Sequence, residues 1–303
     1  MLKLGIRRRG RRVARFVRDK IRNGIWNRYF GERHVTVIRP SRGWRMLDLK
    51  ELWAYRELLW IFILRDIKLR YKQTFLGCTW AVIQPFTSMV VFSLIFGHWA
   101  KIPSDGYPYP IFVYAGLLPW TFFITALSHS ANSVVASSNL ITKVYFPRLV
   151  IPLASVGAAL LDFFVASCLM LGLMLYYGIG WHANLWAIPI LLLAAAFTAL
   201  GVGTLVSALM VSYRDFRFVV PFLTQIWMYA TPVIFPVGLV PRYWRWALYL
   251  NPMAGIIDGF RSAFLGKFFN WDILGLSFCA GALMFFIGVA YFEKVERRFA
   301  DII

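Results

Sequence analysis

Residues 185–211 form a run of 27 positions without one charged side chain. About 20 apolar residues suffice for a helix to cross about 30 Å of hydrocarbon, and a helix of a water-soluble domain would keep a polar face over such a length. Windows of about 19 residues find six spans in all, at 75–99, 109–127, 149–177, 185–211, 218–240 and 273–292. The fold class this predicts is an all-α integral membrane protein with six transmembrane helices. Composition agrees, because a hydrophobic fraction of 59% and 27 Phe leave too little polar surface to clothe a soluble globule.

Charge sets the orientation. Residues 1–75 hold 21 of the 33 Lys and Arg and 6 of the 14 Asp and Glu, so this quarter carries +15 of the formal +19. Cytosolic segments hold the excess of Lys and Arg, and six spans return both termini to that side. The later loops add little, with Lys143, Arg148, Arg214, Arg217, Lys294, Arg297 and Arg298 inside against Lys101, Arg242, Arg245, Arg261 and Lys267 outside. The first 22 residues lack the apolar core of a secretory signal and are expected to stay cytosolic. The basic extension 1–46 suits anionic lipid, at about 1 kcal/mol per basic residue near the surface, and no nucleic acid is expected.

An interface helix is predicted over 47–74. Asp48 with Glu51 gives a capping signature, and Leu49, Leu52, Trp53, Leu59, Trp60 and Ile63 make one apolar flank of a helix lying on the membrane. Its apolar run 58–64 is too short to cross, and Arg65, Lys68, Arg70 and Lys72 follow at once. Two readings stand side by side: a surface anchor, or a lateral gate at which these four cations meet the anionic head group of a lipid substrate.

Between the second and third spans Ser137, Ser138 and Asn139 offer helix caps, while Pro147 disfavours helical geometry at the residue before it. One short helix is therefore predicted over about 139–146, with Leu140 and Val144 on one face, Ile141 and Tyr145 on another, and Lys143 elsewhere. It reads as a plug for a partner's groove or as a loop helix resting on lipid. Residues 241–270 carry Tyr243, Trp244, Trp246 and Tyr249, then the break Asn251-Pro252, and are expected to form a re-entrant helical hairpin between spans five and six. Asp258 and Arg261, three apart, are expected to pair. A tail follows the sixth span over 293–303.

Candidates for chemistry are few. His34, His98, His129 and His182 have no second ligand at helical spacing, and Cys78, Cys168 and Cys279 have neither metal-ligand nor disulfide spacing, so no metal site and no catalytic residue are assigned. Gly266-Lys267 lacks the glycine spacing of a nucleotide loop, and Phe268 stands where Ser or Thr must hold magnesium. Asp162 alone puts a carboxylate near the middle of a span, as a structural hydrogen-bonding group or a functional one. Ala195, Ala199, Gly203 and Ser207 form a small-residue ridge for close helix packing. Gln84-Pro85 in the first span and Pro221, Pro232 and Pro236 in the fifth interrupt helices and free carbonyls. Those two spans are the expected walls of a pathway, lined by Trp80, Gln84, Phe86, Phe222, Trp227 and Tyr229, with Phe235 close by.

Several blocks in order carry a family resemblance. Arg65-Asp66-Ile67-Lys68-Leu69-Arg70-Tyr71-Lys72 with Leu76-Gly77, Trp80 and Pro85 comes first, followed by Ile141-Thr142-Lys143-Val144-Tyr145-Phe146-Pro147-Arg148. Tyr213-Arg214-Asp215, Thr231-Pro232-Val233-Ile234 and Leu250-Asn251-Pro252 complete the set. Over about 47–298 the chain resembles the membrane subunit of ABC type-2 polysaccharide exporters, the O-antigen, teichoic acid and capsule exporters. The resemblance implies a permease homodimer with two ATP-binding subunits, moving a lipid-linked polysaccharide across the bacterial inner membrane. It also implies no cofactor in this chain, ATP and Mg being bound by the ATPase subunit. Asn139, Leu140, Ile141, Lys143, Val144, Tyr145, Phe146 and Pro147 would be the coupling helix to that subunit. The extension 1–46 departs from compact members, which begin near the interface helix. Other readings are an ABC type-2 exporter of a lipid or drug, and a proton-coupled secondary transporter, for which Asp162 supplies little midplane charge. A membrane glycosyl- or acyltransferase would need paired acids or histidines at one interface.

Overall fold

The computed structural model describes residues 49–72, 77–296 and 299. The extension 1–46, the Asp48 cap, Phe75, Leu76, Arg297 and Arg298 lie outside the described residues. Within them the chain is helical, with no strand.

Five helices are long and apolar enough to cross a membrane: Gly77–Trp99, α4 (Tyr109–Ala136), α6 (Val150–Tyr176), Ala183–Ser212, which contains α7 (Ile188–Ser212), and α11 (Trp271–Glu296). The first is not one regular helix. A 3-10 turn leads into α3 (Trp80–Phe92), which holds Pro85 and passes into a π-helical stretch over Ser93–Trp99. The remaining helices are α1 (Leu49–Ala54), α2 (Arg56–Tyr71), α5 (Ser138–Ile141), α8 (Phe216–Ala230), α9 (Arg245–Leu250) and α10 (Pro252–Leu265).

α4 is the hub, with every residue from 111 to 120 buried, and it packs against α6, α7 and α10. Small residues set the spacing there. The predicted ridge on α7 is buried throughout, and a Cβ on Gly203 would stand 2.6 Å from Ser130 Cβ on α4. On the opposite side of α7, a Cβ on Gly201 would meet the backbone of α11, 2.6 Å from Phe285 N.

The fifth predicted span, 218–240, is corrected. α8 stops at Ala230 because Thr231 precedes Pro232 and takes an extended conformation. Its 15 residues reach about 22 Å at 1.5 Å per residue, short of the hydrocarbon thickness. The interface helix is corrected too. A break at Tyr55 divides it, and α2 does not simply lie along a surface. Phe62 packs edge-on to Phe146 near the start of α6, Ile63 fills the notch at Gly157, and Ser155 Oγ donates to Asp66 Oδ2 at 3.3 Å. Arg70 and Tyr71 reach Asp162. The two helices therefore run side by side in the same direction, and α2 climbs along α6. The predicted apolar flank is split accordingly: Leu52, Leu59 and Ile63 pack on protein, whereas Trp53 and Trp60 are exposed.

Between α8 and α11 the chain forms two helices of six and fourteen residues joined at Asn251. Asn251 caps α10, its Oδ1 accepting from Met253 N at 3.0 Å, and Gly266 ends α10 in the left-handed region at φ 71°. All of α10 is buried except half-buried Asp258.

Candidate functional site

Asp162 lies twelve residues into α6, a helix of 27, or about 18 Å along its axis. A lone carboxylate at that depth costs about 2.5–3.5 kcal/mol on insertion scales. Arg70 Nη1 donates to its Oδ2 and the Tyr71 hydroxyl donates to its Oδ1, so the charge is matched and both oxygens are occupied. The predicted head-group cation Arg70 is thus consumed by the acid weighed separately from it.

The pair borders a cavity of about 310 Å³. Trp80, Ala81, Gln84 and Pro85 come from the first span, Thr121, Phe122, Thr125 and His129 from α4, and Phe163 from α6. Phe122 and Phe163 pack edge-to-face at 5.7 Å and form an aromatic wall.

Arg65, Lys68 and Lys72 lie elsewhere, on a separate open groove of α2 with Ile61, Leu64 and Leu69. Arg65 is bonded twice to Asp66 Oδ1, at 2.8 and 3.0 Å, and sits over the Phe62 ring. Lys68 and Lys72 are exposed, and neither side chain has an ion-pair partner among the described residues. The four predicted cations therefore divide: one inside and neutralised, three on an outward face.

The short helix predicted over 139–146 ends at Ile141. The Thr142 hydroxyl turns back to the carbonyls of Ser138 and Asn139. Beyond it the faces do not follow helical spacing. Ile141 and Phe146 are buried in the chain's own core beside Phe62, whereas Val144 and Tyr145 stand exposed at 53% and 63%. Asn139 and Lys143 are exposed, and Leu140 and Pro147 half-buried. Arg148 anchors the segment to α11, giving Nη1 to the Glu296 carbonyl and its backbone N–H to Oε1 at 3.4 Å.

Of the predicted pathway residues, Trp80, Gln84, Phe86, Phe222 and Tyr229 are exposed. Trp227 turns inward, packing on Trp120 and Phe123 and donating Nε1 to Asn251 Oδ1 at 3.0 Å. Asn251 Nδ2 in turn donates to Thr231 Oγ1 at 2.9 Å, tying the broken end of α8 to the start of α10. Arg261 completes that junction and corrects a sequence expectation: its guanidinium goes to carbonyls rather than into an ion pair with Asp258. It donates to Val233 O, to Phe235 O at 3.1 Å and to Phe112 O at 3.4 Å, over the Phe112 ring. Gly116 makes room, since a Cβ there would stand 2.9 Å from Arg261 Nη2.

Comparison with known proteins places this architecture. The ABC-2 type transporter family model matches residues 57–265, from the start of α2 to the end of α10. The chain belongs to that family. O-antigen export system permease protein RfbA of Klebsiella pneumoniae is similar at 28% identity over 251 residues, covering 82% of this chain and 95% of the relative. The protein of that name from Myxococcus xanthus is 33% identical over 221 residues, 71% of this chain and 83% of its own. Polysialic acid transport protein KpsM of Escherichia coli is 24% identical over 248 residues, 77% and 92%.

For this ABC-2 chain the sequence reading missed Tyr71, Thr121, Thr125 and His129 as cavity residues and kept Asp162 apart from Arg70. One signal was available: a single acid in the middle of a span calls for a cation from another element, although sequence distance does not name it, since Arg148 and Lys143 stand nearer to Asp162 in sequence than Arg70 does.

Proposed function

We propose that this chain is the permease subunit of an ATP-driven exporter that moves a lipid-linked polysaccharide across the bacterial inner membrane. The observation that carries the reading is the 82% of this chain that aligns with a permease named for O-antigen export. It works as a homodimer with an ABC ATPase, which binds ATP and Mg, and both termini are cytosolic. The unit 1–46 meets anionic lipid, 47–74 serves as the gate, 75–292 forms the membrane domain with 241–270 re-entrant, and 293–303 is a cytosolic tail.

Roles within the segments follow the geometry. Val144 and Tyr145 are the knobs offered to the ATPase, flanked by Asn139, Leu140 and Lys143, while Ile141, Phe146 and Pro147 hold the loop in shape from within. Lys68 and Lys72, with Arg65, attract the phosphate head group of the lipid carrier on the outward face of α2. Charged partners of this kind make hydrogen bonds roughly twice as strong as neutral ones. Trp80, Gln84, Phe86, Phe222 and Tyr229 line the pathway, and stacked rings offer sugar faces a surface without strong polar traps.

Deleting the gene and following surface glycan tests the reading. Loss of surface polysaccharide with lipid-linked glycan accumulating inside, restored by the intact chain together with its ATPase, is the expected result. Normal surface glycan in the deletion strain, with export of a drug or simple lipid lost instead, would select the other ABC exporter reading.

A further inference from the structure

The cavity beside Asp162 is roomy, lined by both apolar and polar side chains, and electrically balanced. Its about 310 Å³ equals roughly ten waters at liquid density, the scale of one sugar ring. Arg70 and Asp162 cancel each other, so the walls offer no free carboxylate or guanidinium to draw a phosphate in. Hydrogen-bonding capacity remains. Gln84, Thr125 and His129 make no side-chain hydrogen bond to another described residue. Pro85 has no N–H to give the Ala81 carbonyl four residues before it, and both line the space. Gln84 and His129 are exposed and Thr125 is half-buried, so these groups stand open to the hydroxyls of a ligand or to its water. At the rim the Trp80 ring is 54% exposed, a flat apolar face against which the C–H side of a sugar packs.

Resting on the polysaccharide reading above, we propose that this cavity is a binding subsite for one neutral sugar ring of the lipid-linked glycan, stacked on Trp80 and hydrogen-bonded by Gln84, Thr125 and His129. The phosphates stay outside, at the Lys68 and Lys72 groove. A carrier held this way meets the protein at two places on the two sides of α2.

The test uses the permease co-purified with its ATPase in nanodiscs, with Cys78, Cys168 and Cys279 replaced and a reporter cysteine introduced as Thr125→Cys. Should that variant fail to assemble, Gln84→Cys on the exposed rim takes its place. The probe is lipid-linked glycan extracted from cells lacking the permease, used intact or split by mild acid into free glycan and polyprenyl pyrophosphate. Maleimide labelling is expected to slow about tenfold or more with the intact probe, about 1.4 kcal/mol of site occupancy, and to slow with free glycan at higher concentration. Polyprenyl pyrophosphate alone should leave labelling unchanged. Trp80→Ala should raise the half-saturating probe concentration for ATPase stimulation about tenfold, and Trp80→Phe by no more than about twofold. Protection by polyprenyl pyrophosphate as strong as by the intact probe would overturn the proposal in favour of a phosphate site. So would unchanged labelling while the intact probe still stimulates ATP hydrolysis. An intact probe that neither slows labelling nor stimulates ATP hydrolysis would instead refute the polysaccharide reading on which the subsite rests.

Discussion

At the scale of single residues, charge balance and burial sort the candidates more sharply than residue type does. Arg70 and Asp162 are each over four-fifths buried at the side chain, so removing one partner strands the other. Asp162→Asn or Arg70→Gln is expected to lower stability in detergent by about 2–4 kcal/mol, and Arg70→Lys by less because the charge survives. The exchange of both residues should recover much of the loss in thermal unfolding, whereas two additive losses would show that the pair is not coupled. Tyr145 and Phe146 give a second contrast. Tyr145→Asp should leave folding intact and abolish ATPase association or coupling, because the side chain is exposed. Phe146→Asp puts a carboxylate against Phe62 in the chain's own core and should cost more than about 3 kcal/mol. Equal thermal stability of the two variants would contradict this assignment.

At the scale of elements, helices that pack through glycine cannot be separated cheaply. A Cβ on Gly201 would meet main-chain atoms of Phe285 and Met284 at 2.6 and 2.8 Å, and backbone cannot step aside as a rotamer can. Gly201→Ala is therefore expected to cost about 1–3 kcal/mol by overpacking. Gly275→Ala, on α11 with nothing within 4 Å of the new Cβ, should be neutral or gain up to about 1 kcal/mol of helix propensity. Detergent unfolding midpoints of the two variants decide between packing and propensity. Much at this scale was legible in the sequence: long apolar runs locate the membrane helices, Pro232 and Asn251-Pro252 locate the breaks, and the ridge at Ala195, Ala199, Gly203 and Ser207 locates the close approach. What periodicity does not contain is the neighbour. Arg70 and Asp162 are 92 positions apart, so nothing in the local pattern announces their meeting. The Asp258–Arg261 spacing suggested a pair, but the open carbonyls of Val233 and Phe235 lie on another segment and claim the guanidinium. Helical spacing also misled at Val144 and Tyr145, because it assumed a helix that ends at Ile141.

At the scale of the whole molecule, the chain leaves one side unfinished. Within the best span window of Gly77–Trp99 only 11% of residues are buried, against 78% for α4, and α8 shows Phe218, Phe222, Leu223, Ile226 and Tyr229 to the outside. Apolar side chains alone would suit lipid. Gln84 and Thr87 on the first span and Gln225 on α8 are also exposed, and an amide facing hydrocarbon without a partner costs several kcal/mol. In the proposed homodimer, a second copy with a wet passage between the two would relieve that cost and supply the width that one chain's helices do not enclose. Single-cysteine variants along 80–92 and 218–229, made after replacing Cys78, Cys168 and Cys279, should therefore form symmetric disulfides in membranes, with yield falling on the faces that pack inward against α4. Reporter cysteines on α7, which is held between α4 and α11, should stay unlinked. Strong symmetric crosslinks from α7 with none from the first span or α8 would place the twofold axis on the other side of the molecule and remove Trp80, Phe222 and Tyr229 from the pathway.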